Sequence, residues 1–225
     1  MPRKQRRIER ASSFRDASLI VVATEDARAT PMYLRELAKH PKYRSSFIEV
    51  KVLERLALTD SAPKAVKAVL DDYKRDTDLG DGDELWLVID IDNWKERMLA
   101  DVCRECAQSN YFTAISNPAV ELWFLLHFED ISSLPKERQE EFLQNSKKGK
   151  RRTALERAII EHIGEYSKGS LKVEPYFELT ERAIEHSKKL LIASDSEGGR
   201  WPQALGTQMH RLIEAIKRKG QSKRL

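Results

Sequence analysis

The stretch ELWLVIDID, residues 84–92, decides the architecture. Leu85, Trp86, Leu87, Val88 and Ile89 form a continuous apolar run, too short for a typical helix and rich in β-formers. The turn cluster Gly80-Asp81-Gly82-Asp83 precedes it, and the carboxylates of Asp90 and Asp92 close it. A run apolar on both faces reads as a central strand of a parallel sheet covered on both sides. Open α/β sheets bind ligands at the C-terminal ends of their strands, and that end carries the two aspartates. Residues two apart in an extended chain share a side, so both carboxylates converge on one point. Carboxylates that close repel each other unless a proton or cation lies between them, and Mg²⁺ suits a set of oxygen-only ligands. The same residues also fit a plainer reading, in which Asp92 with Asn93 caps the following helix and Asp90 is an ordinary polar strand end.

Working outward, residues 17–24 (ASLIVVAT) read as a second buried strand, ending on Glu25. Thr30 then fits a helix N-cap with Pro31 in the first helical position. Residues 47–53 (FIEVKVL) alternate and predict a strand near a sheet edge, with Glu49 and Lys51 toward water. Ser61-Ala62-Pro63 opens a helix to about Arg75. A helix over 94–109 follows the central strand, then a short strand over 111–115 that ends at Ser116-Asn117-Pro118. This alternation predicts an α/β fold with a mostly parallel four-stranded sheet flanked by helices.

The character changes after Pro118. Residues 119–128 (AVELWFLLHF) read as a buried helix with Glu121 one turn in. Helices are predicted over 135–145, 153–164, 178–194 and 203–219, a helical C-terminal extension. The expected organisation is a basic tail over 1–16, an α/β core over 17–130 and a helical region over 131–225 packed on that core.

The 225 residues are 40% hydrophobic and 34% charged, enough for a sizeable core with well-solvated faces. The net charge of +4 matters less than its distribution. Arg3, Lys4, Arg6, Arg7, Arg10 and Arg15 crowd the N-terminus. Lys147, Lys148, Lys150, Arg151 and Arg152 form a second block, and Arg211, Lys217, Arg218, Lys219, Lys223 and Arg224 a third. Such blocks are either solvated segments or contacts to a nucleic-acid backbone. Cys103 and Cys106 stand alone on a predicted helix without a second pair, which fits reduced structural residues rather than a zinc or disulfide site. No apolar run approaches membrane-spanning length and no signal-peptide core follows the basic start, so a cytoplasmic chain without a membrane partner is expected.

Single residues narrow the chemistry. A charge such as Glu121 on an apolar helix must pair with a cation or face the cleft, because leaving it alone costs on the order of several kcal/mol. The cleft is favoured, since its helix starts after a strand at the ligand edge. Arg28 fits a phosphate contact or a counter-charge to the acids. His127 reads as a hydrogen-bonded core histidine, and the tryptophans as packing, except Trp94, which follows the acidic pair.

An acid after the first strand and an Asp-x-Asp after a later one is the arrangement of the Toprim fold, which holds a divalent cation for phosphodiester chemistry. More closely, the chain resembles the RloB-like family of bacterial proteins found beside restriction and other defence genes. The residues that carry the resemblance are 25–33 (EDARATPMY), Asp90-Ile91-Asp92 and, most specifically, 116–128 (SNPAVELWFLLHF). A weaker match is 206–212 (GTQMHRL), so the resemblance spans about residues 18–216. Three departures stand out. Asp26 replaces a family glycine, Ala29-Thr30-Pro31 replaces Thr-Glu-Pro, and Ile91 stands where arginine is common.

The resemblance implies a Toprim-like core in which Glu25, Asp90 and Asp92 bind one or two Mg²⁺ (or Mn²⁺) ions, with Glu121 completing the catalytic set. It implies a metal-dependent phosphodiesterase, an endonuclease on DNA or RNA in bacterial antiviral defence, switched by an ATPase partner protein. The metal would activate water and stabilise the leaving oxygen, and Glu25 is an alternative general base or acid. Arg28, Lys147, Lys148, Lys150, Arg151 and Arg152 are the candidate nucleic-acid contacts. The departures support an alternative, a catalytically inactive Toprim-like nucleic-acid-binding or sensor subunit. A structural partner subunit whose acids only cap helices is the third reading.

Overall fold

Apolar side chains alternate along two neighbouring strands and so divide the buried residues between two faces of one sheet. The computed structural model describes residues 17–54, 60–91, 94–147 and 152–221. Its strands are β1 (Ser18–Thr24), β2 (Ile48–Val52), β3 (Glu84–Asp90), β4 (Phe112–Asn117) and β5 (Gly206–Thr207). They lie in the order β2-β1-β3-β4-β5, with β1 to β4 parallel and β5 antiparallel to β4. The expected mostly parallel sheet is present, with β3 at its centre and β2 at an edge. β5 makes it five-stranded rather than four-stranded. Two residues show no periodicity, so only the pairing of Ser116 with Thr207 and Asn117 with Gly206 reveals that strand.

Leu19, Val21 and Ala23 of β1 and Leu85, Leu87 and Ile89 of β3 share one buried cluster with Val66, Leu70, Leu99, Val102, Cys103 and Cys106. Those partners come from α2 (Pro63–Asp76) and α3 (Glu96–Gln108), which therefore cover that face. Ile20, Val22, Trp86 and Val88 point the other way, into a larger cluster. It contains Tyr33, Leu34 and Leu37 of α1 (Ala29–Lys39) and side chains from α4 (Glu121–Leu125), α6 (Ala154–Ile163), α8 (Thr180–Ala193) and α9 (Met209–Gly220). Each fully buried side chain of this kind contributes about 1.5–3 kcal/mol. Both cysteines are free and buried, and burial pushes the Cys103 thiol up to about 11 and the Cys106 thiol up to about 12, as inert structural thiols require.

Several element boundaries differ from the sequence expectations, each for a local reason. Residues 119–128 do not form one long helix; α4 spans Glu121–Leu125 and the following residues turn. The His127 ring Nδ1 lies 2.9 Å from the Trp123 carbonyl, the acceptor that a continuing helix would offer to the His127 backbone N–H. That N–H turns to Phe124 instead. Thr30 is not the cap of α1. The helix starts at Ala29, and the Asp26 carboxylate accepts from the backbone N–H groups of Arg28 and Thr30 at 3.0 and 2.6 Å. The last helix starts at Met209, not near 203, because the preceding Gly206-Thr207 pairs in the sheet. A Cβ on Gly206 would sit 2.7 Å from Leu191 Cδ2, so the close approach needs glycine there. The short helices α5 (Lys136–Gln144) and α7 (Glu174–Phe177) complete the order; α7 is too brief for periodicity to show. Among the described residues no helix is long and apolar enough to cross a membrane. The basic tail expected over 1–16 lies outside the described residues.

Candidate functional site

The chain leaves β1 toward β2 on one side and leaves β3 toward β4 on the other. The C-terminal ends of β1 and β3 therefore flank the point where strand order reverses, which is where open α/β sheets form a crevice for ligands. Glu25 follows the last residue of β1, and Asp90 is the last residue of β3. Because the two strands pair in parallel with Thr24 opposite Val88, both acids come out at that crevice.

The Glu25 carboxylate contacts the Asp90 backbone. The Asp90 backbone N–H donates to Glu25 Oε2 at 3.1 Å, and the Trp94 indole N–H donates to Glu25 Oε1 at 2.9 Å. Trp94 is thus more than packing: with Asp90 it fixes the orientation of the Glu25 carboxylate. Its own backbone N–H donates to the Ile91 carbonyl, while the Ile91 N–H donates to the carbonyls of Ser116 and Pro118. The motif Ser116-Asn117-Pro118 therefore holds Ile91, the residue after β3. It is held in turn by the C-terminal region, through Ser116 to Thr207 (Oγ to Oγ1, 2.8 Å) and Asn117 Nδ2 to the Pro202 carbonyl (3.1 Å). The two sequence blocks at 116–128 and 206–212 thus meet in the fold. Asp92 lies outside the described residues.

Glu121 opens α4 beside this edge and is 2% exposed. It accepts a hydrogen bond from the Tyr166 hydroxyl at 3.0 Å and forms an ion pair with Lys168 Nζ at 2.5 Å. Burial and the adjacent Glu121 charge hold the Tyr166 hydroxyl far above its ordinary range, so it remains a donor. Burial alone would depress Lys168, but the charge and hydrogen bond of Glu121, with Asp26 and Asp90 adding to it, raise its pKa instead. Lys168 thus lies within the electrostatic reach of the acids at the crevice. Gly164, at φ 80, ends α6 and releases the chain into this loop. Lys168 and Gly169 occupy the centre of a turn closed by the Ser170 N–H on the Ser167 carbonyl. A Cβ on Gly169 would sit 3.8 Å from Arg28 Nη1, so Arg28 stands beside the same turn.

Glu121 carries a stability prediction. Glu121→Ala removes the acceptor of a buried hydroxyl and leaves a void, at an expected cost of about 2–4 kcal/mol. Glu121→Gln retains an acceptor for Tyr166 and removes only the charge, and Lys168, 42% exposed at its side chain, can take up water instead; the expected cost is about 1 kcal/mol. Urea unfolding of both variants checks the order, and equal losses would transfer the stabilisation from the hydroxyl bond to the ion pair.

The structure brings Glu25, Asp90, Glu121 and Arg28 to one side of the molecule. Among the described residues no three His, Cys, Asp or Glu side chains are grouped closely enough to hold a metal ion by themselves. Asp26 accepts at the start of α1 through both carboxylate oxygens. His127 is a core residue, with Nε2 lying 3.4 Å from the Tyr33 hydroxyl. Of the second basic block, Lys147 and Arg152 are exposed, while Lys148, Lys150 and Arg151 lie outside the described residues. In the third block Lys217 pairs with Glu181, Arg218 and Lys219 pair with Glu84, and Arg211 donates to the Glu197 carbonyl. Those charges serve the chain's own acceptors. Sequence reasoning missed Lys168 and Tyr166. A lysine-glycine turn between helices has no local signature of a site, and only the docking of that loop against Glu121 reveals it.

No curated protein and no solved structure matches the chain. A family model described as RloB-like protein matches residues 20–216, most of the length, from within β1 to within α9. The chain therefore belongs to the RloB-like protein family.

Proposed function

We propose that the chain is a divalent-metal-dependent phosphodiesterase with a Toprim-like core, an endonuclease acting on nucleic acid. The observation that carries this reading is the contact between Glu25 and Asp90 at the reversal point of the sheet. The donors there are carboxylate oxygens, which suit a hard cation, and Mg²⁺ is commonly held by one or two carboxylates together with water and substrate phosphates. Glu25 and Asp90 fit that pattern, and Asp92 is the third proposed ligand. A bound Mg²⁺ or Mn²⁺ would supply Lewis-acid polarisation of the phosphate and a lowered pKa for water. Trp94 keeps Glu25 Oε1 aligned, and the Asp90 N–H keeps Oε2 aligned, so the carboxylate is held in one orientation. Arg28 and the block Lys147–Arg152 are the proposed backbone contacts. A role in bacterial antiviral defence and control by an ATPase partner rest on the family resemblance.

A second reading, an inactive nucleic-acid-binding or sensor subunit, is favoured by one observation: the extra acid Asp26 spends both oxygens on the α1 N-terminus. Heating with and without metal, read beside cleavage of DNA and RNA, separates the readings. A ligand at about a hundredfold its Kd adds ~2.7 kcal/mol of stability. For a chain of this size that is a rise of about 5–10 °C in Tm. The rise is expected with Mg²⁺ or Mn²⁺ and is lost in Asp90→Ala. No rise with either metal would remove the metal site, and a rise without cleavage would select the inactive reading.

A further inference from the structure

We propose that Lys168 binds a phosphate of the nucleic-acid substrate at the Glu25–Asp90 edge, with Glu121 and Tyr166 as its positioning residues. The inference rests on the phosphodiesterase reading above and adds to it a contact from the helical C-terminal region.

The first ground is the geometry of the pair. Glu121 is 2% exposed at its side chain and the Lys168 side chain is 42% exposed, so the acid is a buried anchor and the lysine is the member of the pair open to solvent. An ammonium carries three donors, and the Glu121 contact uses one. The anchor is itself fixed, because Tyr166, 3% exposed, donates to Glu121 Oε1, the same oxygen that faces Lys168. The second ground is energetic. A buried ion pair adds little stability over apolar residues of the same volume, and Leu122, Trp123, Phe124 and Leu125 beside Glu121 are all fully buried apolar residues. A charge maintained in that setting has another use, and the one the fold provides is to hold a cation at the crevice.

The third ground is where that cation sits. Lys168 is drawn by Asp26 and Asp90 as well as Glu121, and its turn abuts Arg28. A phosphodiester approaching Glu25 and Asp90 meets like charge, and it needs fixed positive charge on the protein in addition to any metal. Lysine provides a compact charge with rotatable donors suited to phosphate oxygen, and Arg28 provides a planar fork next to it. The elements that meet here, the β1 end, the β3 end, the start of α4 and the loop after α6, come from both halves of the chain.

The experiment uses the full chain with mixed-sequence DNA and RNA oligonucleotides, in calcium or chelator so that turnover does not interfere. Binding is measured across a salt series for the unaltered chain, Lys168→Met and Lys168→Arg. Lys168→Met is expected to weaken binding roughly tenfold and to lower the slope of log K against log salt by about one contact. Lys168→Arg, which retains the charge, is expected to restore the slope. The rise in Tm with Mg²⁺ should survive in Lys168→Met. An unchanged slope and affinity in Lys168→Met with the metal response intact would overturn the proposal and leave the metal site standing, Lys168 then being only the partner of Glu121. A lowered slope with no metal response in any protein would do the reverse. Failure of the unaltered chain to bind either oligonucleotide also overturns it. Should Lys168→Met not fold, Lys168→Gln gives the same slope from a side chain that remains soluble at the turn.

Discussion

Asp90→Ala is expected to abolish nucleic-acid cleavage while leaving the chain folded. Asp90 ends a strand whose preceding residues, Leu85 to Ile89, form the buried centre of the sheet, and its own side chain lies at the half-buried rim. Alanine retains the backbone N–H that donates to Glu25 Oε2, so the local frame persists. What disappears is one of the two acids that the ends of β1 and β3 place at the crevice. Loss of an outer partner of a metal site costs about 10–100-fold, and loss of a ligand is expected to exceed that. Without metal the variant is expected to be as stable as the parent or more so, because like charges crowded at a site destabilise it. Cleavage rates in Mg²⁺ and melting curves in chelator check both halves. A folded variant with full activity removes Asp90 from the chemistry, and a variant that unfolds makes Asp90 structural.

Acid is expected to unfold this chain well above the pH at which its exposed carboxylates titrate. Burial depresses His127 to about 3 and His210 to about 4, against an ordinary histidine value of about 6.5. Both rings stand neutral in the folded core: His127 among Tyr33, Trp123 and Tyr176, and His210 against Ser187. The sign follows from proton uptake. Above about pH 6.5 neither state binds the proton and the rings add no pH dependence. As pH falls below that value the unfolded chain takes up protons that the folded chain refuses, and stability is lost until the folded values are reached. With two rings the slope approaches ~2.7 kcal/mol per pH unit between about pH 6 and 4, and the accumulated loss at pH 4 is on the order of 5 kcal/mol. Urea midpoints across that range measure it, and His127→Phe should reduce the slope by about one proton, or ~1.4 kcal/mol per pH unit. A stability profile flat from pH 7 to 5 would show that the rings are not held neutral.

The sequence by itself determined the four parallel strands of the sheet. Leu85 to Ile89 and residues 17–24 are apolar on both faces, and such runs have no stable place except between two layers of helices. The acids at their ends followed, since a parallel sheet puts every strand's C-terminus on one edge, and Glu25 and Asp90 do meet there. The motif at 116–128 was legible as a unit because its residues act on their neighbours, as when His127 turns to the Trp123 carbonyl four residues back. What only the tertiary structure decided depends on partners far apart in the chain. Thr207 stands against Ser116, Pro202 against Asn117, and Lys168 and Tyr166 against Glu121, at separations that local propensity and periodicity do not reach. Asp26 shows the same limit at short range: Thr30 reads as the cap of α1 in the sequence, and it is the Asp26 carboxylate that accepts from the orphan N–H groups there. A charge takes the nearest partner that folding delivers, so the residue types at a site can be read from sequence, but their pairing waits on the fold.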